Sequence, residues 1–450
     1  MKTIRYYYWL IVEFAKKNIR LILLSFLVSF IGIIGLISAS PYINGLIPSR
    51  KEIIGYIGKY DMSNLPEEIT SKVTNGLVYL NEKGEIVPTL ASTWEIVNQG
   101  KEYRFHLKDQ LLWSDGKKFS AYDVSYQFKD VNKKVIDDKT IYFILKKPTP
   151  IFPTYLRAPI LKYPLLGVAG LYKVSSFHMK YGTFKEIVLE PNKKDLKTII
   201  YKFYNNETQL INAYKLGEIN SMVITKKSVA DTFKTWKNSI VSKSVDYSRL
   251  LTIFFNSDRE PLVDKDVRQA INESIDRDQF KEYGELAVGP IPPTSWAYNP
   301  DVKNPLYDFE QSEKLLKKIG VASDSASLSV ATYYDYLPTA DILDAQFKKV
   351  GIRTNLKIIS YEKPSDFEFL LAYWKVPSDP DQYYFWHSTQ TIGNIGNYKN
   401  VKIDKFLEDG RNTIDIKERK GIYYDYQKNI IDDPPAIFLY YPYVYTIRRK

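Results

Sequence analysis

The stretch of this chain richest in chemistry is Leu370-Leu-Ala-Tyr-Trp374-Lys-Val-Pro377-Ser-Asp379-Pro-Asp381-Gln-Tyr383. An apolar run typical of a buried strand passes straight into a loop that carries two carboxylates and a proline. Carboxylates placed there could anchor a cationic group through a charge-assisted hydrogen bond. They could equally cap the helix that follows, a common job for Asp beside Pro. His387 lies one turn further on, beside Trp386, where it could contribute to a metal-complex or haem site. His106 and His178 are distant, and no His pair has the i, i+4 spacing of a helical metal site. Tyr333, Tyr334, Tyr336, Tyr373, Tyr383 and Tyr384 could supply amphipathic pocket walls, although 37 tyrosines are spread along the chain.

Enzyme chemistry finds little support. The sequence has no Cys, no Gly-x-Ser-x-Gly elbow, no phosphate loop and no His-Glu-x-x-His helix. The paired acids Asp137-Asp138 and Asp432-Asp433 fall at expected turns or helix ends. The absence of Cys also removes disulfides and thiolate metal sites. A chain of 450 residues with 44% hydrophobic content is too long for one core and divides into two or three units. The net charge of +11 comes from scattered lysines without a dense basic run, which favours a generally basic surface over nucleic-acid binding.

The elements that must position these residues begin with Leu77 to Phe128. Gly84 marks a turn, and Tyr103, Phe105 and Leu107 alternate with Arg104 and His106 as in a half-buried strand. Trp113-Ser-Asp-Gly116 is a tight turn. Ser120 with Asp123 reads as a near capping box, opening a helix that places Val124 and Phe128 on one face. Residues 66–80 are expected to form a helix leading into this block.

The order Gly84, Pro88-Thr-Leu-Ala91, Trp94, strand, Trp113-Ser-Asp-Gly116 and capped helix resembles the signature of the bacterial family 5 extracellular solute-binding proteins. These are the ligand-capturing subunits of peptide, dipeptide and nickel ABC transporters. Further elements are similar in the same order: Gly167-Val-Ala-Gly170-Leu-Tyr172, the stop at Gly217-Glu-Ile-Asn220, and Thr252-Ile-Phe-Phe255-Asn256 with Pro261-Leu-Val-Asp264. Val267-Arg268 to Ile275-Asp276-Arg277, Gln346 to Ile352, Asn400 to Asp404, Arg419 and Pro434-Pro-Ala-Ile-Phe-Leu-Tyr440 continue the match. The resemblance covers about 50–448.

It implies an α/β, two-lobed periplasmic-binding-protein-like fold with discontinuous lobes and a hinge. The expected first lobe is 51–252, completed by 438–450, and the second is 253–437, with crossings near Leu251–Asn256 and Ile437–Tyr441. It implies hinge closure on a short peptide or other small solute, and delivery to ABC permease subunits, with no cofactor and no chemistry on the ligand. In peptide-binding relatives the strand end at Trp374 pairs with peptide backbone, and an Asp three residues beyond that Trp grips the α-ammonium. Here that position is Pro377, so Asp379 is the substitute after a loop shift. The candidate ligand-binding set is Tyr373, Trp374, Lys375 and Asp379, with Tyr60 from the first lobe. The stretches from Phe128 to Thr140 and from Tyr155 to Gly167 are shorter than in such relatives, which implies a smaller or more open pocket, or simply a compact protein. A surface sensor on the same scaffold, capture of a nickel chelate, and an unrecognised hydrolase are the alternatives.

Leu21 to Ala39 is a run of 19 uncharged residues, about 28 Å as a helix. Lys2, Arg5, Lys16, Lys17 and Arg20 precede it against the single acid Glu13. The positive-inside rule puts a leader, 1–20, in the cytoplasm and the body outside the cell membrane. Residues 40–50 are then a tether. The run exceeds the usual core of a cleaved signal, which favours an uncleaved anchor.

Overall fold

The computed structural model describes residues 2–46, 51–303, 305–321, 327–360, 364 and 366–450. Its organising element is the last strand, Ala436–Arg449, 14 residues long and buried along its first half. Leu251 to Phe254 of the strand Arg249–Phe255 pair with its beginning. Ser221–Ile224 and Ser239–Val245 pair with its end. A single 12-stranded mixed sheet results. On one side of the last strand lie Arg249–Phe255, Phe369–Lys375, Ser327–Thr332 and Arg353–Ile358. On the other lie Ser221–Ile224, Lys51–Ile57, Thr198–Tyr204, Thr183–Pro191 and Tyr172–Lys180.

The two sides are the cores of two lobes. In the second lobe the period of two along Arg249–Phe255 sends Leu251, Ile253 and Phe255 to one face, where Val267, Ile271 and Phe347 cover them. Leu250 and Phe254 point to the other face, against Trp386, Tyr423 and Tyr426. The first lobe carries its own clusters around Tyr201 and Phe203 and around Leu210 and Phe233. A separate four-stranded antiparallel sheet, Ala91–Val97, Glu102–Leu107, Thr140–Leu145 and Val131–Val135, holds the opening block and a third core.

Many sequence-predicted elements form where expected. The helix Glu207–Leu216 ends at Gly217 with φ 82°, and Phe309–Ile319 starts on Asp308 and ends at Gly320, also φ 82°. Two expectations are corrected. The Asp123 carboxylate does accept hydrogen bonds from Ser120 N and Oγ, at 2.9 and 3.1 Å. The helix it opens, however, is a single turn, Ala121–Asp123, and Val124 is already extended. Val124 is drawn into the third core, and the Tyr126 hydroxyl is fastened to the carbonyls of Leu156 and Ala158, at 2.8 and 2.6 Å. Long-range ties therefore override the local helix signal. Likewise the helix expected over 66–80 covers Glu67–Val73. Thr74 leaves it to bond the Ile160 carbonyl, and Val78–Leu80 is a strand.

At the N-terminus, helices Lys2–Lys17 and Ile19–Leu46 meet at Asn18. Among the described residues no single helix is long and apolar enough to cross a membrane, whereas Tyr8–Lys17 with Ile19–Gly35, bent by 77°, qualifies as a pair. Residues 40–46 of the expected tether lie in the second helix, and 47–50 lie outside the described residues.

The turn Asp246–Ser248 joins Ser239–Val245, paired with the end of Ala436–Arg449, to Arg249–Phe255, paired with its beginning. The Asp246 carboxylate accepts from Ser248 N, Ser248 Oγ and Arg249 Nε at 3.1, 2.5 and 2.8 Å. Burial pushes this carboxyl up, but the hydrogen bonds from Ser248 and Arg249 prevail and hold it below the ordinary range. A lowered folded value stabilises the protein above the unfolded pKa of about 4, and this stabilisation fades as pH falls through the lowered value. Asp246→Asn is expected to cost about 1.5 kcal/mol at neutral pH, with the difference shrinking as the solution is acidified below the ordinary carboxylate value of about 4. Thermal unfolding of both proteins across that range checks it.

Candidate functional site

The strand Phe369–Lys375 is the second-lobe element nearest the chemistry read from the sequence. It pairs with Arg249–Phe255 along its full length, from Phe255↔Phe369 to Arg249↔Lys375. On its other side the pairing with Ser327–Thr332 ends at Thr332↔Leu371. Val376 N bonds Ser248 O at 2.9 Å, which fixes the alternation of the antiparallel ladder. Residues 372, 374 and 376 direct their backbone groups toward Arg249–Phe255. Tyr373 and Lys375 direct theirs toward the other edge, where no described backbone group pairs with them. The result is a short open strand edge.

The side chains beside this edge are aromatic. Tyr373 packs edge-on against Tyr336 with centroids 5.0 Å apart, and Tyr336 in turn contacts Tyr333. Tyr440 lies on its other flank, and the Arg249 guanidinium sits 5.5 Å over its ring. Burial, reinforced by Tyr440, pushes the Tyr373 phenol far up, so it stays neutral. Lys375 is exposed. Trp374 turns inward to Phe385 and Trp386, with its indole N–H unpartnered among the described residues. Tyr334 and Tyr384 are exposed and stand apart from this wall. Tyr60 packs on Tyr56 and Phe203, and its hydroxyl donates to Ile57 O at 3.0 Å, all within the first lobe.

The loop carboxylates are not free. Arg419 holds Asp379 in a two-bond fork, 2.8 and 2.5 Å, and its third nitrogen donates to Gly410 O at 2.7 Å. Arg419 is buried and Asp379 partly so. Burial alone lowers an arginine's pKa, but the Asp379 carboxylate more than offsets this and the Arg419 charge is retained. Arg411 donates twice to Asp381, at 3.1 and 2.8 Å, and lies 4.0 Å over the Tyr383 ring. Each carboxylate also accepts a backbone N–H two residues on. Asp379 is therefore engaged by Arg419 rather than open. Nor is Asp379 a helix cap, since the helix Tyr383–Trp386 starts on Gln382 without a side-chain cap bond.

His387 is equally committed. It is buried, stacked on Tyr383 at 4.0 Å, with Nε2 3.3 Å from Glu408 and Nδ1 facing Thr389 Oγ1 at 2.9 Å. Among the described residues no group of three or more His, Asp or Glu is placed to hold a metal. Sequence reasoning passed over Arg411 as a site member and gave Arg419 no role. Two Asp separated by one residue, with one Arg on each of two successive helices, were the available signal.

The first lobe closes over this region. The turn at Gly84, φ +78°, lies so near the Trp296 indole that a Cβ there would be 2.2 Å from its Cδ1. Trp296 itself rests against Tyr423 and the Arg419 guanidinium. Lys227 of the first lobe pairs with Glu282 of the second at 3.4 Å.

Two lobes of α/β structure joined by adjacent crossings, with an open strand edge between them, define a bilobal ligand-capturing protein. Residues 85–395 match the family described as bacterial extracellular solute-binding proteins, family 5, and the chain belongs to that family. The oligopeptide-binding protein AppA of Bacillus subtilis (strain 168) is 24% identical, over 87% of this chain and 86% of that protein. A crystal structure of NikZ from Campylobacter jejuni in complex with Ni(L-His) superposes with TM-score 0.73 at 25% identity, covering 90% of this chain and 95% of that one. The structure of Bacillus subtilis AppA in complex with a nonapeptide superposes with TM-score 0.70 at 22% identity, covering 89% and 94%.

Removing Asp379 strands a buried guanidinium, which costs about 3–5 kcal/mol. Asp379→Ala is expected to lower the denaturant midpoint sharply, and Asp379→Ala with Arg419→Met to recover much of the loss. Peptides with free and acetylated N-termini are expected to lose affinity alike, as measured by calorimetry.

Proposed function

We propose that the chain is the substrate-binding component of an ABC importer, which captures an extracellular short peptide between its lobes and presents it to the permease. It performs no chemistry on the ligand. The observation that carries this reading is the open edge at Tyr373 and Lys375. An extended peptide adding to such an edge gains main-chain hydrogen bonds that are independent of its side chains. The flanking wall of Tyr373, Tyr336 and Tyr333 offers apolar area with polar tips. Membership of a solute-binding family and likeness to an oligopeptide-binding protein support the same ligand class.

The proposed hinge is the pair of crossings at Asp246–Ser248 and Tyr441–Tyr443, a few residues from the boundaries at Thr252 and Phe438 read from the sequence. Closure would bring Gly84 onto Trp296 and Lys227 onto Glu282, contacts available to one state of the lobes. The proposed anchor is the uncharged run Leu21 to Ala39, carried within the helix Ile19–Leu46, with the basic leader on the cytoplasmic side.

Lys375→Pro removes a donor from the open edge while leaving the ladder with Arg249–Phe255 intact, a substitution that edge strands tolerate. It is expected to leave the thermal midpoint of the detergent-solubilised full chain nearly unchanged and to weaken peptide binding by roughly tenfold, the value of about 1.4 kcal/mol. Unchanged affinity in the folded variant rules out pairing at this edge. Gly84→Ala introduces a Cβ that the closed form has no room for. It is expected to weaken peptide binding by a similar factor, roughly tenfold, read by the same calorimetry.

A further inference from the structure

A cavity of about 500 Å³ lies in the four-stranded part of the first lobe, apart from the strand edge. It falls within the size range of small-molecule sites. Its floor is apolar: Phe128, Val131, Leu145 and Phe152, the last two buried. Phe128 and Phe152 meet edge to face at 5.5 Å, so the floor is a packed aromatic surface. Its rim is basic. Lys129, Lys146 and Lys147 stand around it against one carboxylate, Asp130, which Lys146 already engages. Lys129 and Lys147 form no ion pair within 4.0 Å among the described residues, and although Lys129 also acts on Asp130, three cations against one carboxylate leave the rim net positive. Tyr155 closes one side, its phenol pushed up to about 12 by burial and then by Asp381 of the second lobe.

An apolar body alone would gain nothing from the basic rim, and a hydrophilic anion would leave the floor wet. The occupant that satisfies both carries a ring or short alkyl body and a single anionic head. We propose that this cavity binds a small amphipathic carboxylate, with the apolar body on Phe128 and Phe152 and the carboxylate between Lys129 and Lys147. The site is distinct from the peptide edge and does not depend on that reading. Its ten lining residues all belong to the first lobe.

The probe is 4-phenylbutyrate, with 4-phenylbutanol as its uncharged counterpart, titrated calorimetrically into the full chain at low ionic strength. Single-site binding of the acid is expected, at least tenfold tighter than the alcohol, and weakening as salt is added because the lysines are exposed. Lys129→Glu with Lys147→Glu, two surface changes that the fold tolerates, is expected to reduce that affinity by tenfold or more and to leave peptide affinity unchanged. Val131→Trp, which fills the hollow, is expected to block acid and alcohol alike. The proposal is overturned if the acid fails to bind or binds no better than the alcohol. It is equally overturned if the double variant, folded as judged by its thermal midpoint, binds the acid as the native chain does. Loss of peptide affinity in that variant would place the cavity within the peptide site and overturn its independence.

Discussion

The whole molecule depends on one strand being shared. Ala436–Arg449 gives its first residues to the second lobe and its last to the first, so neither lobe's sheet is complete until the C-terminus has been placed. Such pairings join residues far apart in sequence, as Ser221↔Arg448 and Leu251↔Tyr440 do. A fold built on them has high contact order and acquires its central register late. The short strand Gly284–Leu286 lies along Tyr440–Pro442, where partners change. Gly284 has no room there for a side chain, because a Cβ would come within 2.2 Å of the Tyr441 carbonyl oxygen. Tyr247 at the other crossing donates to Glu285 at 2.7 Å. The two crossings are thus bound to one small strand, and a rotation of the lobes must be absorbed around it.

The same economy governs the loop after Phe369–Lys375. A loop that carries an open strand edge must be held still, and backbone turns alone hold it poorly. Here two carboxylates two residues apart each take a guanidinium, Arg411 from the helix Val401–Asn412 and Arg419 from the helix Ile416–Asp432. Between them Gln382, buried, donates to Pro290 O and accepts from Trp386 and Tyr426. Buried pairs of this kind add little net stability but penalise every alternative arrangement in which one partner is stranded. The charge on the loop therefore serves geometry.

Individual helices and strands were legible in the sequence because their signals are local and repeated, whereas the two lobes followed from the family resemblance. Asp308 and Gly320 bracket a helix, and alternating Tyr103, Phe105 and Leu107 mark a strand. What stayed hidden is what depends on partners far along the chain. Ser120 and Asp123 form the box they promise, yet the helix stops because Tyr126 is tied to carbonyls some thirty residues away. Asp379 reads equally well as ligand anchor or structural anion until Arg419, 40 positions on, is seen to lie against it. Trp374, singled out as a ligand contact, proves to be core through its ring, while its neighbours Tyr373 and Lys375 own the open edge. That last distinction is a matter of parity in the ladder, which only the register with Arg249–Phe255 decides.

The early end of that helix and the first-lobe cavity have a common origin. A helix from Ala121 would advance about 1.5 Å per residue and keep Phe128 about 10 Å from its start, against the core. Extended chain covers more than twice that distance per residue. Running extended from Val124, the segment carries Phe128 out to Phe152 and Tyr155 and brings Lys129 and Val131 to the edge of the hairpin that follows. Strand Val131–Val135 then pairs with Thr140–Leu145 across a short turn, and of the later segments it is the one around Phe152 and Tyr155 that returns to line the gap between Phe128 and Leu145. The hollow is therefore not a packing flaw within a finished core. It is the space a longer element would occupy, now floored by aromatic rings and rimmed by the lysines of two strand ends.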